Sequence, residues 1–205
     1  MSSSNDSQAS PSGKAGWAVI SLGSNLPSRY GSPENTLEEA ISRLRALVSE
    51  EIVGSTMKLD EGSVEGAIAN GFLSSSLYLT EPCDCEPGTP DFVNAAVALR
   101  LDSVDSAQDL LRRLLAIEVE FGRQLDSDRG KGLNLARSLD LDLICFGELQ
   151  VSGQELTLPH PRACQRRFVL EPIAEILPRL VLPGQQLSVF GILQELSATE
   201  AVEKI

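Results

Sequence analysis

Basic residues are scarce in this sequence: 17 lysines and arginines stand against 29 aspartates and glutamates in 205 residues, and the formal net charge is −12. A negative field of this size repels nucleic acid and anionic membrane surfaces, so we expect neither as a partner. It also opposes a polyphosphate ligand unless arginines or metal ions reverse the charge locally. A phosphate site is therefore to be sought where arginines cluster near paired carboxylates.

Several other features are missing. No apolar run approaches the length of a membrane span, and the first residues lack a charged-then-apolar signal pattern, so we expect a cytoplasmic protein. The motif G-x-x-x-x-G-K-S/T does not occur, which argues against a P-loop enzyme. Neither G-x-G-x-x-G nor G-x-S-x-G is present. The cysteines show no C-x-x-C spacing, although Cys83 and Cys85 form a C-x-C pair. Thiols in a reducing compartment are a simpler interpretation of all four than a metal site or a disulfide.

Composition along the chain predicts a tail and one domain. Residues 1–15 are rich in serine and lack large apolar side chains, which is typical of a disordered segment. Residues 16–205 are enough for a single domain with its own core. Within it, residues 49–73 show weak periodicity, and we interpret them as an excursion of unassigned structure.

Hydrophobic periodicity predicts the elements of that domain. The predicted strands are 17–22, 74–80, 92–100 and 138–146, and the predicted helices are one opening at Pro33, one from about Val104 to Phe121, and two at about 168–177 and 187–197. The order β-α-β-β-α-β followed by helices is typical of the α+β class, with a ferredoxin-like antiparallel sheet and extra C-terminal helices.

The strongest chemical signal lies on the last predicted strand. Because residues i and i+2 of a strand share a face, Leu139, Leu141 and Leu143 turn one way and Asp140 and Asp142 the other. Two carboxylates whose Cα atoms are roughly 6.5–7 Å apart can converge on magnesium ions. A half-exposed strand with an acidic outer face is the alternative.

Three further signals accompany it. The segment Leu158-Pro159-His160-Pro161-Arg162 carries the only histidine and precedes Arg166 and Arg167, a local reversal of the negative field that suits phosphate. Glu118 interrupts the apolar stripe of a helix, where a carboxylate needs a partner. Asn94 lies in an apolar strand, where an amide can bind the edge of a heterocycle. A solvated basic loop, a glutamate at the helix edge and a satisfied core amide are the respective alternatives.

Taken together, these signals resemble the 6-hydroxymethyl-7,8-dihydropterin pyrophosphokinases of folate biosynthesis. The resemblance runs through seven blocks: A-V-I-S-L-G-S-N-L (18–26), S-S-L-Y-L-T-E-P (75–82), P-D-F-V-N-A-A-V (90–97), I-E-x-x-F-G-R (117–123), R-S-L-D-L-D-L-I-C-F-G (137–147), L-T-L-P-H-P-R (156–162) and R-F-V-L-x-P (167–172). The blocks stand in the family's order and cover nearly all of residues 17–180.

The resemblance implies an activity and a set of site residues. A member of this family would transfer a diphosphate from ATP to the pterin alcohol with two Mg²⁺ ions. The metal and catalytic positions would be Asp140, Asp142 and Arg123; the ATP positions Glu118, Arg137, Leu143, Thr157, His160 and Arg166; and the pterin positions Thr80, Glu81, Phe92, Asn94 and Phe168. A monomer is expected, with a neighbouring folate enzyme as a candidate partner.

The chain also departs from the family pattern. The loop between Gly122 and Arg137 is longer than in short members, Leu125 stands where these often carry arginine, and Leu135-Ala136-Arg137 replaces the usual G-P-R. In the family this loop closes over the substrates. Outside the loop, Glu155 stands where some members of the family have arginine. These differences leave open a second interpretation, a non-catalytic module that binds pterin or nucleotide on the same scaffold.

Overall fold

The structure is a computed structural model that describes residues 16–52, 71–83, 85–100, 106–123, 136–197 and 200–205. Its elements in chain order are β1 (Trp17–Ser24), α1 (Pro33–Ile52), β2 (Phe72–Ser74), β3 (Tyr78–Thr80), β4 (Phe92–Arg100), α2 (Ala107–Glu120), β5 (Asp140–Phe146), β6 (Val151–Ser152), β7 (Thr157–Leu158), a 3-10 turn (Ala163–Gln165), α3 (Arg167–Ile176), α4 (Val189–Glu195) and β8 (Val202–Lys204). The tail predicted at 1–15 lies outside the described residues.

The strands form one antiparallel sheet in the part of the chain that the structure describes. Its order is β5-β1-β4-β3-β8, and β2 pairs with β4 beside β3. The long strands β1 and β4 occupy its centre, in keeping with their nearly continuous apolar sequences. A separate hairpin joins β6 to β7. The fold is therefore mixed α/β with an antiparallel sheet.

Helices α1 and α2 cover one face of the sheet. Their apolar stripes supply Leu37, Leu44, Leu110 and Leu114, which are buried against alternate residues of β1, β4 and β5. Ser106 caps α2, because its Oγ accepts the backbone N–H of Asp109 at 3.1 Å. The predicted packing of Leu139, Leu141 and Leu143 under the helices is confirmed, since all three belong to this core.

Helices α3 and α4 pack on the opposite face and form a second core. Val169, Leu170 and Ile173 of α3 belong to the same buried cluster as Ala96 and Ala98 of β4. The small alanines let α3 approach the sheet closely. The helix covers only part of this face, and the uncovered part lies at the end of β5 where the two aspartates emerge.

Several predicted boundaries were wrong. Strand β1 extends through Gly23 and Ser24, two residues beyond the end predicted at residue 22. The single strand predicted at 74–80 is two short strands, β2 and β3, interrupted at Ser75, whose Oγ accepts the N–H of Ala96 at 2.9 Å. Part of the excursion at 49–73 is regular: α1 extends to Ile52 and β2 begins at Phe72, while residues 53–70 lie outside the described part.

The sequence prediction also missed β6, β7 and β8. Strand β8 pairs with β3 at the sheet edge, and Thr80 lies opposite Val202 in that register. The side chain of Glu175 on α3 reinforces this edge by accepting the hydroxyl of Tyr78 and the ammonium of Lys204, each at 2.8 Å. Among the described residues, no helix is long and apolar enough to cross a membrane.

Candidate active site

A pocket of about 540 Å³ opens over the uncovered part of the sheet. Strands β1, β3, β4 and β5 form its floor, and the segment before α3 forms a wall. Its lining residues are Ser21, Gly23, Thr80, Glu81, Cys83, Cys85, Phe92, Asn94, Arg137, Asp140, Asp142, Arg166 and Phe168. Nine residues assigned to the site by resemblance therefore line one cavity: Thr80, Glu81, Phe92, Asn94, Arg137, Asp140, Asp142, Arg166 and Phe168.

The two aspartates emerge on the same side of β5, as strand alternation predicts. In the sheet register, Asp142 lies opposite Ser21 and Asp140 lies opposite Gly23, both on β1. The small side chains of β1 leave room in front of the carboxylates. A methyl group at Gly23 would come within 3.3 Å of the Asn94 side-chain oxygen, so the absence of a Cβ keeps the floor open.

Two arginines converge on Asp140. Its Oδ1 accepts from Arg137 Nη1 at 2.8 Å and from Arg123 Nη1 at 3.0 Å. Arg123 lies outside the main pocket and lines, with Arg137, an adjacent hollow of about 820 Å³. Asp140 is thus already neutralised by guanidinium groups, and these groups stand at the edge of the cavity where an anionic ligand would need them.

Glu118 acts from beneath the site rather than from its wall. Its side chain is 1% exposed, Oε1 accepts the N–H of Leu141 at 2.7 Å, and the same atom accepts from Arg123. Burial raises the pKa of Glu118 to about 7, against the lowering effect of Arg123. The predicted partner for this buried carboxylate therefore exists, and it is a pair: a strand amide and an arginine.

The surroundings of Asp142 also disfavour its charged form. Burial, and next the negative charge of Asp140, raise its pKa to about 6, although Arg166, Arg137 and Arg123 oppose the shift. Two carboxylates on one face are stabilised by a cation, so the donor set fits Mg²⁺, which takes one or two carboxylates together with phosphate and water oxygens. No group of three or more His, Cys, Asp or Glu side chains suited to a metal occurs in the described residues, so other oxygens would have to complete the coordination.

The L-P-H-P-R segment runs beside β5. The backbone N–H of His160 donates to Ile144 O at 2.8 Å, and the Leu158–Pro159 peptide bond is cis. Burial, followed by Arg166 and Arg162, lowers the pKa of His160, so its ring is neutral at pH 7. His160 Nδ1 and Arg166 Nη2 are both buried and lack a hydrogen-bond partner. Buried polar atoms without partners are costly, and here they mark where a ligand's polar atoms would fit.

The other half of the pocket suits a flat heterocycle. Asn94 Nδ2 donates to Thr80 Oγ1 at 2.7 Å, and both side chains are buried. This bond fixes the orientation of the Asn94 amide. Phe92 and Phe168 supply aromatic surface on the pocket wall, and the Arg166 guanidinium lies 5.4 Å from the centre of the Phe168 ring.

Four residues predicted at the ATP site are not among those that line the pocket: Glu118 and His160, described above, and Leu143 and Thr157. The side chain of Leu143 is buried in the core beneath α1 and α2, and Thr157 is exposed on β7, where its hydroxyl donates to Gly153 O at 3.3 Å. Their predicted contacts with ATP stay predictions. Of the loop that departs from the family pattern, Leu125 and Leu135 lie outside the described residues.

Asn25 is a site residue that sequence reasoning missed. Its Oδ1 accepts the N–H of Arg137 at 2.8 Å, and its Nδ2 donates to Pro90 O at 3.2 Å. It therefore links the segment that carries Arg137 to the loop before β4. Its position after β1 had indicated only a strand end. Ser21 and Gly23 were missed for the same reason, because small strand residues carry no chemical signal.

Fold and site together define a class: a mixed α/β protein whose pocket joins a carboxylate pair and arginines to an amide-and-aromatic wall. The sequence profile of the family described as 7,8-dihydro-6-hydroxymethylpterin-pyrophosphokinase (HPPK) matches residues 19–178. The chain belongs to this family, and the resemblance stated from its motifs is confirmed.

Individual relatives agree with the family. Proteins named 2-amino-4-hydroxy-6-hydroxymethyldihydropteridine pyrophosphokinase are 31% identical over 170 residues in Haemophilus influenzae and 34% identical over 162 residues in Porphyromonas gingivalis. These alignments cover 83% and 78% of this chain, and 87% and 90% of the relatives. A Synechocystis protein of the same name is 40% identical over 113 residues, which is 55% of this chain and about half, 54%, of that relative.

Solved structures agree in fold. An HPPK-DHPS in complex with substrates superposes with a TM-score of 0.58 at 12% identity, covering 88% of this chain and 43% of that one. A wild-type HPPK-DHPS from Plasmodium falciparum gives a TM-score of 0.52 at 12% identity, covering 91% of this chain and 45% of that one.

Proposed function

We propose that this chain transfers the diphosphate of ATP to 6-hydroxymethyl-7,8-dihydropterin, giving AMP and the pterin diphosphate. The observation that carries the proposal is the pocket itself. Asp140 and Asp142 share one cavity with two arginines, Arg137 and Arg166, and with Asn94 and the aromatic rings of Phe92 and Phe168. The phosphates of ATP, as the donor, and the flat pterin ring, as the acceptor, can therefore meet over the carboxylate pair.

The arginine-rich side suits the phosphates. Arg137 and Arg166 line the pocket, and Arg123 stands behind Asp140. Guanidinium forks match phosphate oxygens, and a neutral His160 ring can add one further hydrogen bond. These arginines locally offset the negative field of a protein whose net charge is −12 and which would otherwise repel a phosphate chain.

The residues around the carboxylates also fit the metal that the family resemblance implies. Asp140 and Asp142 would hold two Mg²⁺ ions, whose chemistry is to neutralise charge on the phosphate oxygens and to orient them. The raised pKa of Asp142 supports a cation at this position, because a neighbouring positive charge favours the carboxylate form.

The acceptor would lie on the Asn94 side. The amide of Asn94, held by Thr80, can both donate to and accept from the edge of a pterin ring. Phe92 and Phe168 would pack against the ring faces, and the exposed Glu81 lies at the rim. The ring's hydroxymethyl group would then face the aspartates.

With both substrates bound, the protein's contribution would be alignment. The alcohol oxygen attacks the β-phosphorus of ATP and AMP leaves, and the arginines around the pocket would lower the cost of the charge on the transferred group. The alcohol proton is lost during the attack, and the pocket carboxylates are the bases that can accept it. Arg123 and Arg137 would exchange Asp140 for phosphate oxygens as the nucleotide enters.

The finer architectural and partner predictions belong to the same proposal. We assign the fold to the ferredoxin-like α+β class because its elements follow β-α-β-β-α-β, with the second strand split in two. We expect a single-domain, cytoplasmic monomer. The HPPK-DHPS names of the structures with similar folds support a neighbouring folate enzyme as a candidate partner.

The direct test is product analysis. Incubation of the purified chain with ATP, Mg²⁺ and the pterin alcohol should yield AMP and the pterin diphosphate in equal amounts, resolved by chromatography. Omission of the pterin or of Mg²⁺ should abolish AMP formation. Pterin binding by calorimetry without any AMP would overturn the transferase proposal and support the non-catalytic module, which the departures at Leu125 and Leu135-Ala136 favour.

A further inference from the structure

Two thiols that the proposed reaction does not use line the same pocket. Cys83 and Cys85 belong to its wall, on the loop between β3 and β4, together with Arg166 and Phe168. Both side chains are partly exposed, whereas Cys145 is buried in the sheet. A small reagent that reaches the substrate cavity therefore also reaches these two sulfur atoms.

Cys83 lies in the electrostatic field of Arg166. Burial and Arg162 lower the pKa of Arg166, while Asp142, Asp140 and Cys83 raise it, so a charged Cys83 sulfur and the guanidinium attract each other. The thiolate is the nucleophilic form of cysteine, and a neighbouring arginine favours it. Cys83 therefore combines a place in the pocket wall with a neighbouring guanidinium.

Cys85 is held close to the first thiol. Its Sγ donates a hydrogen bond to the backbone oxygen of Cys83 at 3.3 Å. The contact folds the segment and keeps the second sulfur beside the residue that carries the first. A second thiol at this position provides another target in the same wall.

Cys164 offers an internal comparison. It is partly exposed like Cys83, but it packs against the core under α3 and is not among the residues of the pocket wall. Burial raises the pKa of the Cys164 thiol, which disfavours its nucleophilic form. Exposure alone would give Cys83 and Cys164 similar reactivity, whereas pocket position and charge distinguish them.

We propose that Cys83 is a covalent modification site at which small-molecule disulfides block the substrate pocket. The Cys83 thiol gives its proton to solvent, and its sulfur attacks one sulfur of the disulfide. A bond forms between these two sulfurs, the original S–S bond breaks, and the second half departs as a thiolate. The Cys83 sulfur is oxidised, the departing sulfur is reduced, and added thiol reverses the exchange.

The adduct would exclude ligands for two reasons. Its bulk would occupy the pocket whose wall includes Phe92 and Phe168. An acidic adduct such as that of glutathione would also place carboxylates beside Arg166, where a phosphate is expected. The effects on turnover and the protection by the pterin and ATP analogue rest on the proposed function, but the reaction at Cys83 does not.

The test treats the full chain with glutathione disulfide and follows adducts by intact-protein and peptide mass spectrometry. Cys83 should react about 10-fold faster than Cys164, and the pterin alcohol together with a non-hydrolysable ATP analogue should slow the reaction at Cys83. Dithiothreitol should remove the adduct. Equal rates at Cys83 and Cys164, or no protection by ligands that calorimetry shows to be bound, would overturn the proposal.

Two variants separate this proposal from the transferase activity. In Cys83→Ser, less adduct should form at the pocket. Glutathione disulfide should leave AMP formation by this variant close to that of the same variant without treatment. Cys164→Ser should stay as sensitive as the unaltered protein, and continued inactivation of Cys83→Ser at the unaltered rate would contradict the proposal. Ligand protection of Cys83 in a protein that forms no AMP would support the modification site and overturn only the proposed function.

Discussion

Leu141 donates its backbone N–H to Oε1 of Glu118 at 2.7 Å, and this bond ties α2 to the strand that carries Asp140 and Asp142. The same carboxylate oxygen accepts from Arg123, whose guanidinium also reaches Asp140 at 3.0 Å. One buried side chain thus positions a strand, an arginine and, through the arginine, a proposed metal ligand. Glu118 is a positioning residue, and its loss should disturb both stability and the site.

Replacement of Glu118 tests this link. Glu118→Ala would leave the buried Leu141 amide without its acceptor, and we expect a loss of about 1–3 kcal/mol in the free energy of unfolding. Glu118→Gln keeps an acceptor and should cost less. The control is Glu120→Ala, whose ion pairs with Arg29 and Arg43 are exposed and should contribute at most about 1 kcal/mol. If urea unfolding showed that Glu118→Ala loses no more free energy of unfolding than Glu120→Ala, the assignment of Glu118 as a positioning residue would be contradicted.

The pocket carboxylates give stability a specific pH dependence. Burial raises the pKa of Asp142 from an ordinary 3.8 to about 6, so the folded protein retains a proton that the unfolded chain has released. The contribution of this group to stability therefore falls as the pH rises from about 4 to about 6. Asp142→Asn, which cannot ionise, should flatten that part of the stability profile. An unchanged slope in the variant would show that Asp142 does not titrate in this range.

Asn94 and Thr80 should control pterin affinity more than ATP affinity. Thr80→Val removes the hydroxyl that holds the Asn94 amide at 2.7 Å, and we expect the dissociation constant for the pterin to rise about 10-fold. Affinity for an ATP analogue should change little. Calorimetric titration with each ligand measures the two effects separately. Thr89→Val, on the exposed loop before β4, is the matched control. Equal losses for both ligands would argue for general damage to the pocket.

Glu175 should hold the outer edge of the sheet. It accepts the N–H and hydroxyl of Ser76 at 3.0 and 2.9 Å and the hydroxyl of Tyr78 at 2.8 Å, besides its ion pair with Lys204. Burial would raise its pKa, but the hydrogen bonds from Lys204, Tyr78 and Ser76 prevail and lower the pKa to about 2.

Two variants measure that contribution. Glu175→Gln should reduce the free energy of unfolding by about 1–3 kcal/mol at pH 7, whereas Lys204→Gln, which removes only the exposed partner, should cost at most about 1 kcal/mol. Because the pKa of Glu175 is depressed, its stabilisation should be present above pH 4.5 and should be lost as the pH falls toward about 2. Thermal melts of the three proteins at pH 7 and pH 3 provide the comparison, and equal melting temperatures at pH 7 would rule out this role.

The chemistry of β5 could be predicted from sequence because strand alternation is a local rule. Leu141 and Asp142 are neighbours, and their opposite directions follow from the backbone alone. Phe92–Arg100 was likewise predictable, since a continuous apolar run between polar turns favours a buried central strand. Only the family resemblance predicted that Thr80 and Asn94 lie in the same site, because the local sequence pattern does not show which residues of two strands face each other.

Features that depend on distant partners were not predictable. The pattern at Glu118 indicated a carboxylate in need of a partner, but only the tertiary structure identifies Leu141 and Arg123 as those partners. Strand β8 is short and polar, and its pairing with β3 arises from the sheet edge rather than from its own propensity. The role of Asn25 could not be predicted because its hydrogen bonds join Arg137 and Pro90, which are distant from it in sequence.

The central claim is that the paired carboxylates of β5 drive diphosphate transfer, and single-turnover AMP formation by Asp140→Asn and Asp142→Asn tests it most directly. Pterin binding and the far-ultraviolet spectrum of each variant establish that the fold and the Asn94 side of the pocket persist. We predict that each variant binds the pterin but forms AMP at least about 10²-fold more slowly than the unaltered protein. AMP formation at an unchanged rate in both variants would contradict the account.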